Sequence, residues 1–378
     1  MDKLRIGIVT SPLGEAGRTP LSNLVDVVSS RTGLTYLVTG NAALGFFPHN
    51  LRTIVTGVHH REVENPLSRI VRHLLMQVQL ALLMARKTRF VGTWIFFIGS
   101  DSLVIPMLMA KLTRRTVLLA LAGSDEETLR VAEDRIARLV RLTSCINRKL
   151  SERLLLYSWS LVDEWHLGRY RSKVSVARHH FVDFTMFRET KSLKHRGNFV
   201  GYVGRMSDEK GIMQFIKAVP SALRQDPSLR FVVVGDGPLA EQVGDYVARF
   251  TLDKSVRIKG WIDHNDLPDL LNELKLLVIP SFTEGLPNIM LEAMACGTPV
   301  LATPVGAIRD VIRDGETGFI LDDNSPESIA SNITRVLEAP DFERVAERAQ
   351  ELVHISFTFE RAVDSWRRVL ERRYTDSG

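Results

Sequence analysis

Two glutamates, Glu284 and Glu292, stand eight positions apart where a predicted strand gives way to a predicted helix. The strand ends near Pro280, and Pro287 suits the first turn of the helix that follows. A carboxylate repels a phosphate, so a carboxylate beside a phosphate site is expected to accept hydrogen bonds from hydroxyl groups. The hydroxyls of a sugar or a ribose are natural donors to a carboxylate. The spacing therefore predicts that both glutamates border a ligand that carries hydroxyl groups.

Two cations follow a second predicted strand. Arg205 and Lys210 lie five residues apart and suit a pyrophosphate, because arginine binds it as a fork and lysine as a point charge. The helix that begins near Pro287 presents unpaired N–H groups at the carboxyl end of its strand, where open α/β sheets bind ligands and phosphate is favoured. A third strand leads into the tight turn Gly235-Asp236-Gly237-Pro238, where a nucleotide can approach the backbone. These strand ends predict a phosphate-binding edge of a parallel sheet.

The segments in 198–321 resemble the C-terminal nucleotide-sugar domain of glycosyltransferase family 4. Enzymes of that family have two facing Rossmann-like domains, the GT-B architecture, and a signature of Glu, seven residues and Glu. The motifs that carry the resemblance are, in order, Gly204-Arg205, Lys210-Gly211, Gly235-Asp236-Gly237-Pro238, Gly260-Trp261, Leu267-Pro268, Pro280-Ser281, Glu284-Gly285, Glu292-Ala293-Met294-Ala295, Gly297-Thr298-Pro299-Val300 and Asp314-Gly315-Glu316-Thr317-Gly318. Motifs in this order are specific for the fold and for a nucleoside-diphosphate-sugar site, and they say little about which sugar is bound.

The resemblance implies a role for each residue that matches the family's motifs. Arg205 and Lys210 would hold the diphosphate and compensate its charge as it leaves, and Glu284 would meet hydroxyls of the donor sugar. These three are the predicted catalytic residues, and Glu292 would hold the ribose. The other predicted donor-binding residues are Gly17, Gly204, Gly235, Gly237, Trp261, Ile262, Gly285, Leu286, Pro287, Asn288 and Ile289. The family transfers sugars with retention and usually without a metal, so the resemblance implies a retaining transferase that needs no metal and no cofactor beyond its nucleoside-diphosphate-sugar substrate.

The first half of the chain follows the family pattern less closely. The stretch 11–17, after the first strand, is similar to the family's glycine loop, which faces the donor phosphates and the acceptor. Many relatives place a His after the strand that ends near Leu121, and this chain has Ala122 there. Ser124 or Asp125 could replace that sugar contact, or could cap the helix that follows.

Runs rich in Val and Ile alternate with helix-length segments, which predicts an α/β protein with two doubly wound, mostly parallel sheets flanked by helices. We expect an N-terminal, acceptor-binding Rossmann-like domain at 1–190, a C-terminal nucleotide-sugar domain at 191–357, and a helix in 358–378 that packs back on the first domain. The charged stretch 188–197 is the predicted linker. The predicted strands lie at 5–10, 35–39, 53–56, 90–98, 116–121, 142–146, 198–203, 229–234, 256–259, 276–279, 299–302 and 318–321.

Composition sets the class and the compartment that we expect. The 378 residues are 45% apolar and 25% charged, which excludes collagen-like, disordered and multi-span membrane classes. Two cysteines, Cys145 and Cys296, are too few for a disulfide framework and predict a reducing, cytoplasmic compartment. The opening residues are typical of a first strand rather than of a secretory signal, and Asp101 and Pro106 interrupt the stretch that comes closest to a membrane span.

The net charge of +5 is unevenly distributed. Residues 1–190 carry 26 Lys and Arg against 16 Asp and Glu, a net charge of +10, and the remainder carries −5. The predicted helix at 67–84 is apolar nearly all round from Leu74, which is typical of a helix buried between a sheet and its neighbours or of one laid on a membrane surface. A basic acceptor domain would attract anionic head groups or a polyprenyl-phosphate sugar carrier, which favours a peripheral position on the cytoplasmic membrane face. Nothing in the sequence is typical of a groove-reading or base-stacking motif, so we expect no nucleic acid partner.

The sequence therefore predicts a retaining glycosyltransferase that moves a sugar from a nucleoside-diphosphate donor to a lipid-linked or surface-glycan acceptor. Two alternatives stay open. The same fold could act on a soluble acceptor, as sucrose- or trehalose-type synthases do. The chain could also be a non-catalytic subunit that binds sugar nucleotides, an interpretation motivated by Ala122.

Overall fold

The computed structural model of the chain describes residues 5–45, 52–60, 65–123, 128, 130–131 and 136–371. The chain forms two compact units. Unit 1 runs up to His180 and takes in the segment from Phe359 onward, and unit 2 is Phe181–Thr358. The chain thus passes from unit 1 to unit 2 ahead of the predicted boundary between residues 190 and 191.

Unit 1 is built on a parallel sheet, as the sequence predicts. Its strands are β1 (Arg5–Val9), β2 (Leu34–Gly40), β3 (Thr53–Val58), β4 (Thr93–Phe96), β5 (Thr116–Ala120), β6 (Arg153–Leu156) and β7 (Val174–Val176). The described helices that connect them are α1 (Arg18–Ser29), α2 (Pro66–Lys87), α3 (Val104–Leu112), α4 (Ala137–Leu150) and α5 (Ser160–Glu164). The spatial order β3-β2-β1-β4-β5-β6-β7 reverses direction between β1 and β4.

Unit 2 repeats this design on a second parallel sheet. Its strands are β8 (Phe199–Val203), β9 (Arg230–Val234), β10 (Val256–Lys259), β11 (Leu276–Ile279), β12 (Val300–Ala302) and β13 (Phe319–Ile320). Its helices are α6 (Ile212–Gln225), α7 (Ala240–Arg249), α8 (Leu267–Glu273), α9 (Asn288–Ala295), α10 (Pro326–Leu337) and α11 (Phe342–Ser356). The order β10-β9-β8-β11-β12-β13 reverses between β8 and β11. The predicted fold class, two parallel-sheet Rossmann-like units flanked by helices, is confirmed.

The predicted strand at 142–146 is wrong, because these residues lie in α4. Leu142 and Ile146 point to solvent, whereas the side chains of Asn147 and Arg148 are buried. The Asn147 amide donates to the Asp101 carbonyl at 2.9 Å. The Arg148 guanidinium donates to the Asp101 carboxylate at 2.8 Å. A short apolar run fits either element, and these tertiary bonds select the helix. The sequence pattern does not predict the strands β6 and β7, because they are only four and three residues long.

The charged stretch 188–197, predicted as a linker, is held inside unit 2. Arg196 is buried, and its guanidinium donates to the Cys296 carbonyl and to the Thr298 hydroxyl at 2.6 Å each. The amide oxygen of Asn272 accepts a further bond from the backbone of this stretch. A buried guanidinium is tolerated where its N–H groups find acceptors, so these bonds fix the stretch against the body of unit 2.

The helix α12 (Phe359–Glu371) belongs to unit 1 although it follows unit 2 in sequence. Its residues Val363, Trp366 and Leu370 are buried at helical spacing, and it packs against α1. The Ser365 hydroxyl accepts the backbone N–H of Arg178 at 3.0 Å. The end of the predicted helix, beyond residue 371, lies outside the described residues.

The apolar helix α2 has one buried face and one exposed face. Met76, Leu80 and Met84 are buried against unit 1, whereas Leu75 and Leu82 are 59% and 58% exposed. Burial therefore accounts for only one of the two apolar faces of α2. In the part of the chain that the structure describes, no helix has the length and apolarity needed to cross a membrane.

A buried imidazole lies near the carboxyl ends of β4 and β6. His179 is 1% exposed, and neither of its ring nitrogens has a hydrogen-bond partner. Its ring stacks on His180 with centroids 4.5 Å apart and meets the rings of Phe97 and Tyr157 edge-on. Burial, and secondarily the neighbouring His180, hold the pKa of His179 well below its usual value. The imidazole is therefore neutral in the folded unit.

We expect this imidazole to make the fold acid-sensitive. In the unfolded chain His179 titrates near 6.5, so below that pH the unfolded state binds more protons than the folded state. The free energy of unfolding should then fall by up to about 1.4 kcal/mol per pH unit as the pH drops, and His179→Phe should remove this part of the slope. Urea unfolding followed between about pH 5 and pH 8 measures the slope. The control His195→Phe, at an exposed position, should keep the wild-type slope, and an unchanged slope in His179→Phe contradicts the prediction.

Candidate functional site

The site is assembled where the sheet of unit 2 reverses its strand order. Because β8 and β11 are parallel neighbours, with Leu276 opposite Val200 and Leu277 opposite Gly201, their carboxyl ends lie side by side. Loops that leave two such strands diverge to opposite faces of the sheet and open a crevice, where open α/β sheets bind ligands. The motifs that begin at Gly204 and at Pro280 follow these two strand ends.

The loop after β8 is fixed by its backbone. Gly204 N–H donates to the Val234 carbonyl at 3.0 Å, and Met206 N–H donates to the Asp236 carbonyl at 2.8 Å, so this loop is tied to the one that follows β9. The hydroxyl of buried Tyr202 donates to the Arg205 carbonyl at 2.7 Å. These bonds hold the backbone of Arg205 in place and leave its side chain exposed at the strand end.

Two glycines with positive φ allow the β8 and β9 loops to approach each other closely. Gly235 has φ +136° and Gly237 has φ +154°, values that residues with a Cβ rarely adopt. A Cβ on Gly235 would collide with the Gly204 carbonyl, and one on Gly237 would collide with the Met206 carbonyl. The two glycines are therefore required by the contact between the β8 and β9 loops.

The adjacency of β8 and β11 joins two of the predicted catalytic residues. Lys210 Nζ lies 2.7 Å from Glu284 Oε1, although the residues are 74 positions apart. The Ser281 hydroxyl donates to the same oxygen at 2.8 Å. Glu284 is 9% exposed and Lys210 is half-buried, so the carboxylate end of the ion pair is shielded from water. Such a pair fixes the orientation of the carboxylate, because one oxygen carries two bonds.

The helix α9 starts directly after this carboxylate. Leu286 and Pro287 are buried, and Asn288 and Ile289 form the partly exposed first turn. The backbone N–H groups of a first turn have no partner within their helix and carry partial positive charge, so they favour an anion. Gly285 is fixed by its carbonyl, which accepts the Ala307 N–H at 2.8 Å. The predicted donor-binding residues at 285–289 thus form one continuous segment beside Glu284.

The second glutamate lies inside α9 and has a partner that sequence reasoning missed. Glu292 is buried, and its Oε1 lies 2.9 Å from His264 Nε2. The ring of His264 packs on Phe187 with centroids 5.1 Å apart. The only sequence signal for His264 is its position two residues beyond Ile262, in the loop that the family resemblance places against the base.

The loop after β10 completes the site in unit 2. Trp261 is 54% exposed and Ile262 is partly exposed, and the backbone N–H of Gly235 donates to the carbonyls of Lys259 and Gly260. The bond from His264 to Glu292 then connects this loop to α9. Unit 2 therefore positions every predicted site residue except one.

That exception is Gly17, which lies in unit 1 in the 3₁₀ turn that leads into α1. Ala122 follows β5 and is partly exposed. Ser124 and Asp125, the two candidates for the missing sugar contact, lie outside the described residues. Among the residues that the structure describes, no three His, Cys, Asp or Glu side chains gather as a set of metal ligands.

The fold is that of the GT-B glycosyltransferases. Sucrose-phosphate synthase from Thermosynechococcus elongatus has the same fold with a TM-score of 0.78, at 17% identity over 99% of this chain and 100% of that one. HepE of Anabaena, solved in complex with UDP and glucose, has a TM-score of 0.76 at 17% identity over 97% of this chain and 99% of that one. At this level of identity the likeness establishes the fold.

Sequence comparison finds a protein family that unit 2 matches. Residues 183–352 match the family model of the glycosyl transferases group 1. Alpha-D-kanosaminyltransferase of Streptomyces kanamyceticus is 31% identical over 164 residues, which are 43% of this chain and 42% of that protein. The matched segment spans less than half the length of this relative and of the other curated relatives next to it in similarity. Unit 2 is therefore similar to the group 1 glycosyltransferase domain along nearly its whole length.

We expect Gly235→Ala to destabilise unit 2 by about 2–4 kcal/mol, because the new Cβ meets the Gly204 carbonyl and the backbone angle is strained. The matched control is Gly244→Ala in α7, where a Cβ has open space. That substitution should stabilise the protein by up to about 1 kcal/mol, since glycine is unfavourable inside a helix. Chemical denaturation measures both changes, and equal effects of the two substitutions would contradict this account of the β8 and β9 loops.

Proposed function

We propose that the protein is a retaining glycosyltransferase of family 4 that transfers a sugar from a nucleoside-diphosphate donor to an acceptor bound by unit 1. The observation that carries the proposal is the ion pair of Lys210 and Glu284 beside the first turn of α9, at the strand reversal of unit 2. A cation, a carboxylate and a helix start in contact suit a ligand that has phosphates at one end and hydroxyls at the other.

The diphosphate is the part of the donor that the cations bind. A lysine ammonium has three N–H donors, so Lys210 can keep its bond to Glu284 and still donate to a phosphate oxygen. The exposed guanidinium of Arg205 can add a two-pronged contact. The first-turn N–H groups of α9 supply further positive potential.

The carboxylates bind hydroxyls. Both described bonds to Glu284 use Oε1, which directs Oε2 to the hydroxyls of the donor sugar. Glu292 accepts from the ribose, and its bond to His264 fixes the carboxylate for that contact. Trp261 and Ile262 border the base.

Charge stabilisation then accounts for the catalysis. When the bond between the anomeric carbon and the diphosphate breaks, negative charge collects on the leaving group beside Lys210 and Arg205. Groups preorganised where charge develops lower the barrier without having to reorganise. We propose that these cations and the start of α9 serve in place of a metal ion, and that the new bond forms with retention of the anomeric configuration.

For the acceptor we propose a lipid-linked sugar or a surface glycan, handled at the cytoplasmic face of the membrane. The net charge of +10 in residues 1–190 supports an anionic acceptor or surface. The two free cysteines, Cys145 and Cys296, support a reducing compartment.

A soluble acceptor is the second candidate. It is favoured by the structural likeness to sucrose-phosphate synthase, an enzyme whose name gives a soluble product. Transfer assays with one labelled donor, run in parallel on simple sugars and on lipid extracts, separate the two candidates. A non-catalytic subunit would bind the donor and show neither transfer nor slow donor hydrolysis.

The experiment that tests the function is a thermal-shift panel of nucleoside-diphosphate sugars, followed by transfer assays with the donor that binds. UDP-glucose is the first member of the panel, because HepE has been solved with it. A ligand at 100 times its Kd should add about 2.7 kcal/mol to the free energy of unfolding. Transfer should continue in EDTA, and NMR of the product should show the donor's anomeric configuration. If no nucleoside-diphosphate sugar in the panel raises the Tm, the donor proposal is overturned.

We expect Glu284→Gln to lower the rate of transfer by about a hundredfold or more, because the amide keeps the shape and loses the charge that orients Lys210 and accepts from the sugar. The control Glu351→Gln changes an exposed carboxylate in α11 and should leave the rate unchanged. Steady-state kinetics at saturating donor measures the difference, and full activity in Glu284→Gln would sink the site assignment.

His264 is expected to act as a positioning residue. His264→Phe keeps a ring against Phe187 and removes the bond to Glu292, so the Kd of the donor should rise about tenfold while kcat changes less than about twofold. His264→Gln offers an N–H donor to Glu292 and should restore most of the affinity. Calorimetric titration with donor provides the Kd. If His264→Phe bound the donor more tightly, His264 would be a competitor for Glu292 rather than its support.

A further inference from the structure

Three neighbouring helices of unit 1 form one layer. The connections from β3 to β4, from β4 to β5 and from β5 to β6 all advance in the same direction across the sheet, so right-handed crossovers place α2, α3 and α4 on the same face. The connection from β1 to β2 runs the opposite way and places α1 on the other face. Within the layer α2 packs against α3, and α3 packs against α4. We call the outward side of these three helices the α2–α4 surface.

The α2–α4 surface is apolar. Leu112 is 83% exposed at the end of α3, and Leu75 of α2 and Leu142 of α4 are each 59% exposed. Of the eighteen large hydrophobic side chains that are exposed among the described residues, ten lie on these helices: Val71, Leu74, Leu75, Val78, Leu82, Leu108, Leu112, Leu139, Leu142 and Ile146. Apolar side chains scattered singly over a surface need no explanation, but such a concentration marks an interaction surface.

The same helices carry positive charge without negative charge. Their sequences contain no Asp and no Glu. Their exposed or partly exposed basic residues are Arg69, Arg72, Arg86, Lys87, Lys111, Arg138, Arg141 and Lys149. Lys111 pairs with Glu152, and Arg148 is buried against Asp101 and adds nothing to this surface. By contrast, α11 and α12 mix Glu with Arg along their length. A surface that combines leucines with positive charge is complementary to a partner that is apolar inside and anionic at its boundary.

We propose that the α2–α4 surface docks unit 1 on an anionic lipid bilayer. The leucines enter the boundary between head groups and acyl chains, and the arginines and lysines around them contact phosphate head groups. This binding mode needs no membrane-spanning helix.

Charge decides between a bilayer and a second copy of the chain. Two α2–α4 surfaces brought together would place basic helices against basic helices, with no acidic residue on any of the six to offset the repulsion. An anionic bilayer offers both an apolar interior and the opposite charge. The proposal extends the membrane location given under Proposed function, and it is independent of the donor chemistry of unit 2, so either can fail without the other.

The test is co-sedimentation of the full chain with sucrose-loaded vesicles, either of phosphatidylcholine alone or with phosphatidylglycerol added. We expect binding to the anionic vesicles that is weakened about tenfold or more when the anionic lipid is omitted or the salt is raised. Leu75→Asp and, separately, Leu142→Asp should each weaken binding about tenfold. The matched control is Ile355→Asp in unit 2, at a position 56% exposed, which should bind as the wild type does.

Two charge-reversal double variants test the electrostatic contribution to vesicle binding. Arg72→Glu with Arg86→Glu should reduce binding at low salt, whereas Lys217→Glu with Arg224→Glu, the same change of charge on exposed positions of α6, should not. Thermal melting of each variant confirms that it is folded, and donor binding by each shows that unit 2 is intact. The proposal is overturned if the wild-type chain does not bind anionic vesicles, or if Ile355→Asp weakens that binding as much as Leu75→Asp does. A concentration-dependent dimer in lipid-free buffer, abolished by Leu75→Asp, also overturns it, because the surface would then join two chains.

Discussion

The contact between Lys210 and Glu284 is the interaction on which the site depends, and it is available only because β8 and β11 are neighbours in the sheet. The two strands lie far apart in sequence, and the reversal of strand order brings their loops to one edge. An unpaired carboxylate as buried as Glu284 would be costly. The ammonium and the Ser281 hydroxyl satisfy it, so the carboxylate can stay ionised beside the strand ends.

The remainder of the site follows from how closely the loops can approach one another. Glycines at 235 and 237 let the β9 loop lie directly against the β8 loop, and Gly235 also bonds to the loop after β10. Backbone hydrogen bonds therefore connect three consecutive loops before any side chain is considered. The side chains of the candidate site are carried on this fixed base, which is the condition for placing them accurately.

The sequence predicts unit 2 well because central strands such as β9 and β11 are buried and appear as apolar runs rich in Val, Leu and Ile. Arg205, Lys210 and Glu284 lie within seven residues of the ends of those runs, whereas Glu292 lies inside α9, the helix that follows β11. His264 is not predictable in this way, since its role comes from a loop whose path only the folded chain defines. In unit 1 the run at 142–146 misleads because Leu142 and Ile146 face solvent, yet their residue types are those of a core. The stretch 188–197 misleads for the opposite reason, because Arg196 is a charged residue held in the interior by carbonyl groups.

The order of the segments has a consequence for how the protein is made. Unit 2 is one continuous piece of chain, whereas unit 1 needs α12, which leaves the ribosome after all of unit 2. Domains usually fold as they emerge, from the N-terminus onward. Here unit 2 can complete itself first, while the site on unit 1 that receives Trp366 stays uncovered until synthesis passes the last helix. A chain interrupted between α11 and α12 would therefore carry a complete unit 2 and an incomplete unit 1.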